Sequence, residues 1–192
     1  MSKLIMMVGI PGSGKSTWIK NNFSDIIPVS RDAIRFELLD EKGGDYFDHE
    51  DEVFDKFIHQ IIGSLVADEI TIADATHLNK KSRARVLNKV RKFADEIEAV
   101  VLDTDLETAF ERNDQREGRA WVKHGIIRRM WFSMEMPEET EGFNKITIRR
   151  EKLINFIKNT FFFSKCKRQE CNQECNIYVK VNFMCQVDQI MR

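Results

Sequence analysis

The chain has 192 residues, which is enough for one domain with a full hydrophobic core but short for two. Its 42% hydrophobic and 32% charged residues are typical of a globular protein, and no apolar run is long enough to cross a membrane. A net charge of −1 excludes binding of nucleic acid through overall positive charge, and the N-terminus has no signal-peptide pattern, so we expect a cytoplasmic protein.

A glycine-rich loop follows the first predicted strand, at 4–8. Residues 9–16 read GIPGSGKS, the G-x-x-x-x-G-K-S pattern of a phosphate-binding loop (P-loop), and a helix can begin directly after it. Glycines allow successive backbone N–H groups to point at one anion, and the helix N-terminus adds further donors. We expect Lys15 to reach the outer phosphates of ATP and the Ser16 hydroxyl to bind Mg²⁺. The residues expected to bind the nucleotide are Gly9, Pro11, Gly12, Ser13, Gly14, Lys15, Ser16 and Thr17.

Strands and helices are predicted to alternate along the next 130 or so residues. The further strands are predicted at 25–30, 70–76, 97–103 and 143–150. Helices are predicted at 53–69, 80–96, 105–119 and 125–136. Alternation at this spacing is typical of parallel βαβ units. We therefore expect an α/β protein with a three-layer α/β/α P-loop NTPase fold, a central and mostly parallel sheet, and a helical lid.

The segment VSRDAIR, residues 29–35, follows the second predicted strand. Asp32 and Arg35 are three residues apart and share one face if a helix begins here. Ligands of open α/β sheets bind at the carboxyl ends of the strands, so this face points toward the transferred phosphate. A carboxylate there can accept the proton of an attacking hydroxyl, and the arginine can hold an anionic part of the acceptor. The same spacing equally fits Asp32 as a helix cap with a solvated Arg35.

Two later segments add polar groups to the same edge. Asp74 ends the third predicted strand, where it can orient Arg35 or help to bind Mg²⁺. Arg112 and Arg116 are four residues apart on one helix face, ahead of Gly118. They suit a lid that neutralises the charge developing during phosphoryl transfer. A plain strand-end aspartate and an exposed helix with charge pairs are the alternative interpretations.

Four segments, GIPGSGKSTW, RDAIR, IADATHLN and ERNDQREGR, together resemble the kinase domain of the phage-type polynucleotide 5′-hydroxyl kinases. The resemblance covers residues 3–150 and depends on the order and spacing of all four motifs. It implies ATP-dependent transfer of the γ-phosphate to the 5′-hydroxyl end of DNA or RNA, with the phosphates bound by Lys15 and Ser16. The chain is too short to hold the phosphatase domain that the well-known phage enzyme carries.

The resemblance also implies roles for individual residues beyond the loop. Asp32 is the implied general base. Arg35 is implied to contact the nucleic-acid phosphate beside the reactive end, with Asp74 as its partner. Arg112 and Arg116 are the implied lid arginines, which bind the nucleotide, and Arg116 is counted with Lys15 among the catalytic residues.

The sequence pattern changes near residue 160. We expect a kinase domain over 1–159 and an extension over 160–192 that holds the four cysteines at 166, 171, 175 and 185. Their spacing lacks a C-x2-C pair and no histidine lies among them, so it does not favour a zinc site. Disulfides are not expected in a cytosolic protein.

Two charge runs lie within the predicted kinase domain. Residues 80–92 carry seven basic side chains and no acidic one, whereas residues 40–55 are strongly acidic. Solvated helix faces commonly look like this. The basic helix is also a candidate contact for a nucleic-acid backbone.

Two other functions fit the same motifs. A kinase of a nucleoside or other small alcohol would keep Asp32 but need an enclosed, partly apolar acceptor pocket. A nucleotide-dependent binding protein would hydrolyse ATP slowly and signal by lid closure, and the candidate base argues against it. The choice between DNA and RNA and the oligomeric state stay open.

Overall fold

A computed structural model describes residues 1–150, which form a parallel sheet flanked by helices. Within that range five strands pair in the order β2-β3-β1-β4-β5, and every pair is parallel. The strands are β1 Lys3–Val8, β2 Val29–Ser30, β3 Ile70–Asp74, β4 Glu96–Asp103 and β5 Lys145–Arg150. The α-helices are α1 Lys15–Asn22, α2 Arg31–Lys42, α3 Glu50–Val66, α4 Lys80–Val90, α5 Leu106–Asp114 and α6 His124–Phe132. None of these helices is both long enough and apolar enough to span a membrane.

The central strand β1 shows how the three layers arise. Its side chains alternate between two separate apolar clusters, because successive residues of a strand point to opposite faces. Leu4 and Met6 pack in the cluster that includes residues of α2, α3 and α4, and Ile5 and Met7 pack with Ile19 of α1. A strand buried on both faces is a continuous apolar run in the sequence. The expected α/β/α P-loop NTPase fold is confirmed.

The predicted lid is built from α5 and α6, which pack over the start of the P-loop. Ala109 of α5 and Ile127 of α6 are fully buried in one cluster with Ile10 and Leu78. The helix predicted over 105–119 ends at Asp114, ahead of the left-handed turn at Gly118. The lid therefore rests on the loop through apolar contacts.

Several other predicted boundaries also differ from the structure: the helices predicted at 80–96 and 125–136 are Lys80–Val90 and His124–Phe132, and the strand predicted at 70–76 ends at Asp74. The strand predicted over 25–30 is reduced to Val29–Ser30, since Pro28 has no N–H to donate to a ladder and Ile27 is exposed. The helix predicted to begin at 53 begins at Glu50, and the acidic side chains of its first turn are favourable at the positive end of the helix dipole. The extension expected from residue 160, with its cysteines, lies outside the described residues, as does the predicted domain boundary.

The basic run of α4 is not a uniform solvated face. Arg83 is completely buried, and its Nε and Nη2 each donate to Glu141 at 2.8 Å. Its Nη1 donates to the backbone carbonyls of His77 and Glu135, at 3.1 and 2.8 Å. Arg85 lies 3.8 Å above the ring centroid of Phe54. Arg83 is thus a structural residue, and a nucleic-acid contact through α4 would have to use other side chains.

We expect Arg83→Ala to lower the free energy of unfolding by about 3–5 kcal/mol, because it leaves the buried Glu141 carboxylate without its partner. Urea unfolding followed by circular dichroism measures this change. The matched control is Lys81→Ala, an exposed lysine of the same helix, which should change the stability by less than about 0.5 kcal/mol. Equal stability of the two variants would contradict the structural role of Arg83.

Candidate active site

The P-loop connects β1 to α1 through backbone conformations that need glycine. Gly12 and Gly14 have φ values of 83° and 88°, in the left-handed region. A Cβ at Gly12 would overlap the Ala109 carbonyl oxygen of α5, so this loop passes very close to the lid. Gly14 leads directly into α1, whose first residue is Lys15. The strand, loop and helix expected around the motif are all present.

Lys15 folds back over its own loop. Its Nζ donates to the carbonyl oxygens of Gly9 and Ile10 at 2.9 and 3.0 Å. Burial lowers the pKa of Lys15 to about 8; the negative charge of Asp74 opposes this change and the positive charge of Arg116 adds to it. A strand-end carboxylate and a lid arginine therefore both act electrostatically on the ammonium group. A phosphate group would offer it better acceptors than the two carbonyls.

His77 supports the loop from below, a role that the sequence did not predict. It lies just after β3 in the left-handed conformation, at φ 43°. Its Nδ1 donates to the Met7 carbonyl at 2.8 Å. Beside this bond, the Gly9 N–H donates to the Thr76 carbonyl at 3.0 Å. Burial lowers the pKa of His77 to about 4, so the ring is neutral at physiological pH. These bonds fix the end of β3 against the start of the P-loop.

Asp32 lies at the start of α2 but does not cap it. The cap is Ser30, whose Oγ accepts from the Ala33 N–H at 3.3 Å. The Asp32 side chain is 68% exposed, and its Oδ1 is bound by Nη1 of Arg35. Within the described residues no hydrogen bond engages Oδ2 of Asp32. One carboxylate oxygen is thus held while the other is available to an incoming hydroxyl group.

Arg35 is buried and forms an ion pair with Asp32. Its Nε donates to Glu50 at 2.6 Å and its Nη1 to the Tyr46 hydroxyl at 3.0 Å. Burial by itself would raise the pKa of Glu50. The hydrogen bond from Arg35 and the positive charges of Arg35 and Arg31 outweigh this effect and hold the pKa of Glu50 below its usual value. Glu50 and Tyr46 had no role in the sequence prediction. The acidic run at the start of α3 marked Glu50 as part of a charged segment. The spacing of residues in the sequence did not show that Glu50 pairs with Arg35.

Asp74 lies near Lys15 of the P-loop. It ends β3, and burial raises its pKa while the charge of Lys15 opposes that rise. In the part of the chain that the structure describes, the ion pairs of Arg35 are made with Asp32 and Glu50, and none joins it to Asp74. Glu50 therefore takes the place beside Arg35 that the resemblance assigned to Asp74.

The lid arginines lie over the P-loop. Arg112 Nη1 is 3.4 Å from the position that a Cβ on Gly14 would take. The positive charge of Arg116 acts to lower the pKa of both Lys15 and Asp74. Both arginines line an open cavity of about 830 Å³ beside the loop. The cavity is also lined by residues absent from the sequence prediction, among them Trp18, Asn21, Arg149 and Arg150. Arg149 and Arg150 come from the end of β5, far along the chain, so no local pattern connected them to the loop.

The oxygen donors at this site fit Mg²⁺ in the company of phosphates. Ser16 is exposed at the start of α1, and no hydrogen bond of the described residues engages its hydroxyl. Asp74 adds a nearby carboxylate. Residues 1–150 contain no group of three or more acidic, histidine or cysteine side chains that could hold a metal by themselves. Mg²⁺ commonly binds through one or two protein oxygens together with substrate phosphates, which matches this donor set.

Comparison with known proteins places these features in a family. Residues 4–137 match the family model AAA_33, described as an AAA domain. Kti12 from Chaetomium thermophilum, solved in complex with ADP-AlF3, aligns with a TM-score of 0.54 at 14% identity, covering 84% of this chain and 96% of that one. A gluconokinase from Sinorhizobium meliloti aligns with a TM-score of 0.51 at 17% identity, covering 84% and 97%.

A chain of the Pnkp1/Rnl/Hen1 complex aligns at 25% identity with a TM-score of 0.51. That alignment covers 62% of this chain and 40% of the other, so it spans less than half of the larger protein. The family match covers more than half of the present chain and includes the P-loop, Asp32, Asp74 and both lid arginines. The chain belongs to the AAA_33 family and has the kinase-like α/β/α fold of the P-loop proteins.

Proposed function

We propose that this protein is an ATP-dependent kinase that transfers the γ-phosphate to the 5′-hydroxyl end of DNA or RNA. The observation that carries the proposal is the Asp32 carboxylate, which is exposed, held through Oδ1 and close enough to Lys15 for its charge to act on the ammonium group. A P-loop that only binds ATP has no need for a base on the acceptor side.

The proposed reaction uses residues on both sides of the transferred phosphate. Lys15 and the loop N–H groups bind the ATP phosphates, and Arg116 adds positive charge from the lid. Oδ2 of Asp32 accepts the proton of the 5′-hydroxyl while the hydroxyl oxygen forms a bond to the γ-phosphorus. The bond from that phosphorus to the β,γ-bridging oxygen breaks, and ADP leaves. Mg²⁺ held by Ser16 and the phosphates would neutralise charge on the phosphoryl group.

The acceptor class is supported by the motif resemblance and by the 25% identity to a chain of the Pnkp1/Rnl/Hen1 complex. One observation favours the second candidate, a kinase of a nucleoside or other small alcohol. Arg35 is buried and paired with both Asp32 and Glu50, so much of its charge is already neutralised. A site for a nucleic-acid phosphate would then depend on its Nη2, for which the described residues provide no hydrogen-bond acceptor.

Labelled ATP offered with different acceptors separates these functions. We expect label to be transferred to a 5′-hydroxyl oligonucleotide and not to the same oligonucleotide with a 5′-phosphate, which is the matched control. Transfer to nucleosides or small alcohols, without transfer to the oligonucleotide, would support the second candidate. Release of labelled inorganic phosphate alone would contradict both kinase proposals.

A further inference from the structure

The loop between α2 and α3 places two aromatic side chains beside the candidate base. The Tyr46 hydroxyl donates to Oδ1 of Asp32 at 3.2 Å and accepts from Arg35 at 3.0 Å. Burial and the neighbouring charge of Asp32 raise the pKa of Tyr46, which keeps the hydroxyl protonated as a donor. The Arg35 guanidinium lies 4.6 Å from the centroid of the Tyr46 ring. Tyr46 is therefore held in place by its contacts with Asp32 and Arg35.

Phe47 extends this aromatic surface into solvent. Its ring meets Tyr46 edge-on, with the centroids 4.8 Å apart, yet 71% of Phe47 is exposed. The loop that carries it is held in shape, since Asp48 accepts from the Asp45 N–H at 2.6 Å and Gly44 adopts a φ of 100°. The exposed Phe47 ring is a flat apolar surface, and Tyr46 connects it to the candidate base Asp32.

The charges around this loop indicate which part of an acceptor can lie on it. Asp45 and Asp48 are acidic, and within the described residues Lys42 is paired with Glu52. A phosphate backbone would be repelled by these carboxylates. An uncharged, flat nucleobase would not, and base–aromatic stacking increases affinity by roughly 5- to 150-fold per base.

We propose that the exposed ring of Phe47, held in place by the edge-on ring of Tyr46, is a stacking surface for an unpaired nucleobase at the 5′ end of the acceptor strand. This inference rests on the proposed function and extends it, because the enzyme would then bind the acceptor by its base as well as by its hydroxyl group. Tyr46 has a second role as a positioning residue, since its hydroxyl holds the oxygen of Asp32 that does not take the proton.

The test compares two acceptors of equal length and charge. One is a 5′-hydroxyl oligonucleotide with normal bases, and the other has abasic sugars at its first two positions. With the unmodified protein we expect the KM of the abasic acceptor to be about 10-fold higher at a similar kcat. Phe47→Ala should raise the KM of the normal acceptor by a similar factor and leave that of the abasic acceptor unchanged.

Two further variants complete the experiment. Val66→Ala removes a similarly exposed apolar side chain, 68% exposed at the end of α3, and should change neither KM. Tyr46→Phe keeps the ring but removes the hydroxyl, so it should lower kcat and leave the KM of the normal acceptor nearly unchanged. All variants are checked for cooperative thermal unfolding.

The outcomes separate the two proposals. Equal KM values for the normal and abasic acceptors, or a Phe47→Ala effect of the same size on both, would overturn the stacking surface while leaving the 5′-kinase proposal intact. Absence of transfer to either oligonucleotide, with ATP still bound, would overturn the proposed function and the stacking surface with it.

Discussion

Lys15→Ala is expected to reduce phosphoryl transfer from ATP by a factor on the order of 10³ or more. The side chain is the cation that the P-loop itself provides, and its Nζ donates to two loop carbonyls that phosphate oxygens would replace as acceptors. Its removal takes one fixed positive charge away from the outer phosphates. Steady-state transfer of labelled phosphate measures the loss, and calorimetric titration measures the accompanying loss of ATP affinity.

The control for Lys15 is Lys20→Ala, an exposed lysine in the last turn of the same helix, which should leave transfer unchanged. Lys15→Ala should also unfold cooperatively, with a stability change below about 1 kcal/mol. The reason is that the desolvation cost of the buried ammonium group offsets its two hydrogen bonds. Near-normal turnover in folded Lys15→Ala protein would refute the assignment of the nucleotide site.

Asp32→Asn is expected to lower kcat by roughly 10²–10⁴, the usual contribution of a positioned general base. The asparagine oxygen can still accept from Arg35 and Tyr46, so the hydrogen bonds around the side chain can be retained. It cannot take the proton of the acceptor hydroxyl. ATP binding, measured by calorimetry, should stay close to that of the unmodified protein.

Glu37→Gln is the matched control for Asp32, because it makes the same chemical change at another exposed position of α2. It should leave kcat within a factor of about two, as expected for a surface substitution away from the site. Should Asp32→Asn turn over as fast as Glu37→Gln, residues 31–35 would be structural, and the polynucleotide kinase proposal would lose its main support.

The nucleotide side of the site was predictable because its signals are local. The apolar run of β1, the glycines of the loop and the start of α1 are consecutive in the chain, so their spacing alone indicates a phosphate-binding turn. The parallel order of the sheet likewise follows from alternating strands and helices. Asp32 could be placed near the phosphates because the carboxyl ends of parallel strands lie at one edge.

The acceptor side was decided by how separate helices meet. Whether Arg35 binds Asp74 or Glu50 depends on the packing of α2 against α3, and the spacing of residues within one segment contains no information on that packing. The buried partner of Arg83 is likewise set by the turn around Glu141, 58 residues further along the chain. The sequence by itself therefore determined the fold, the P-loop and the position of the candidate base. Only the tertiary structure decided which charged side chains are paired and buried, because those pairs join elements that are distant in the chain.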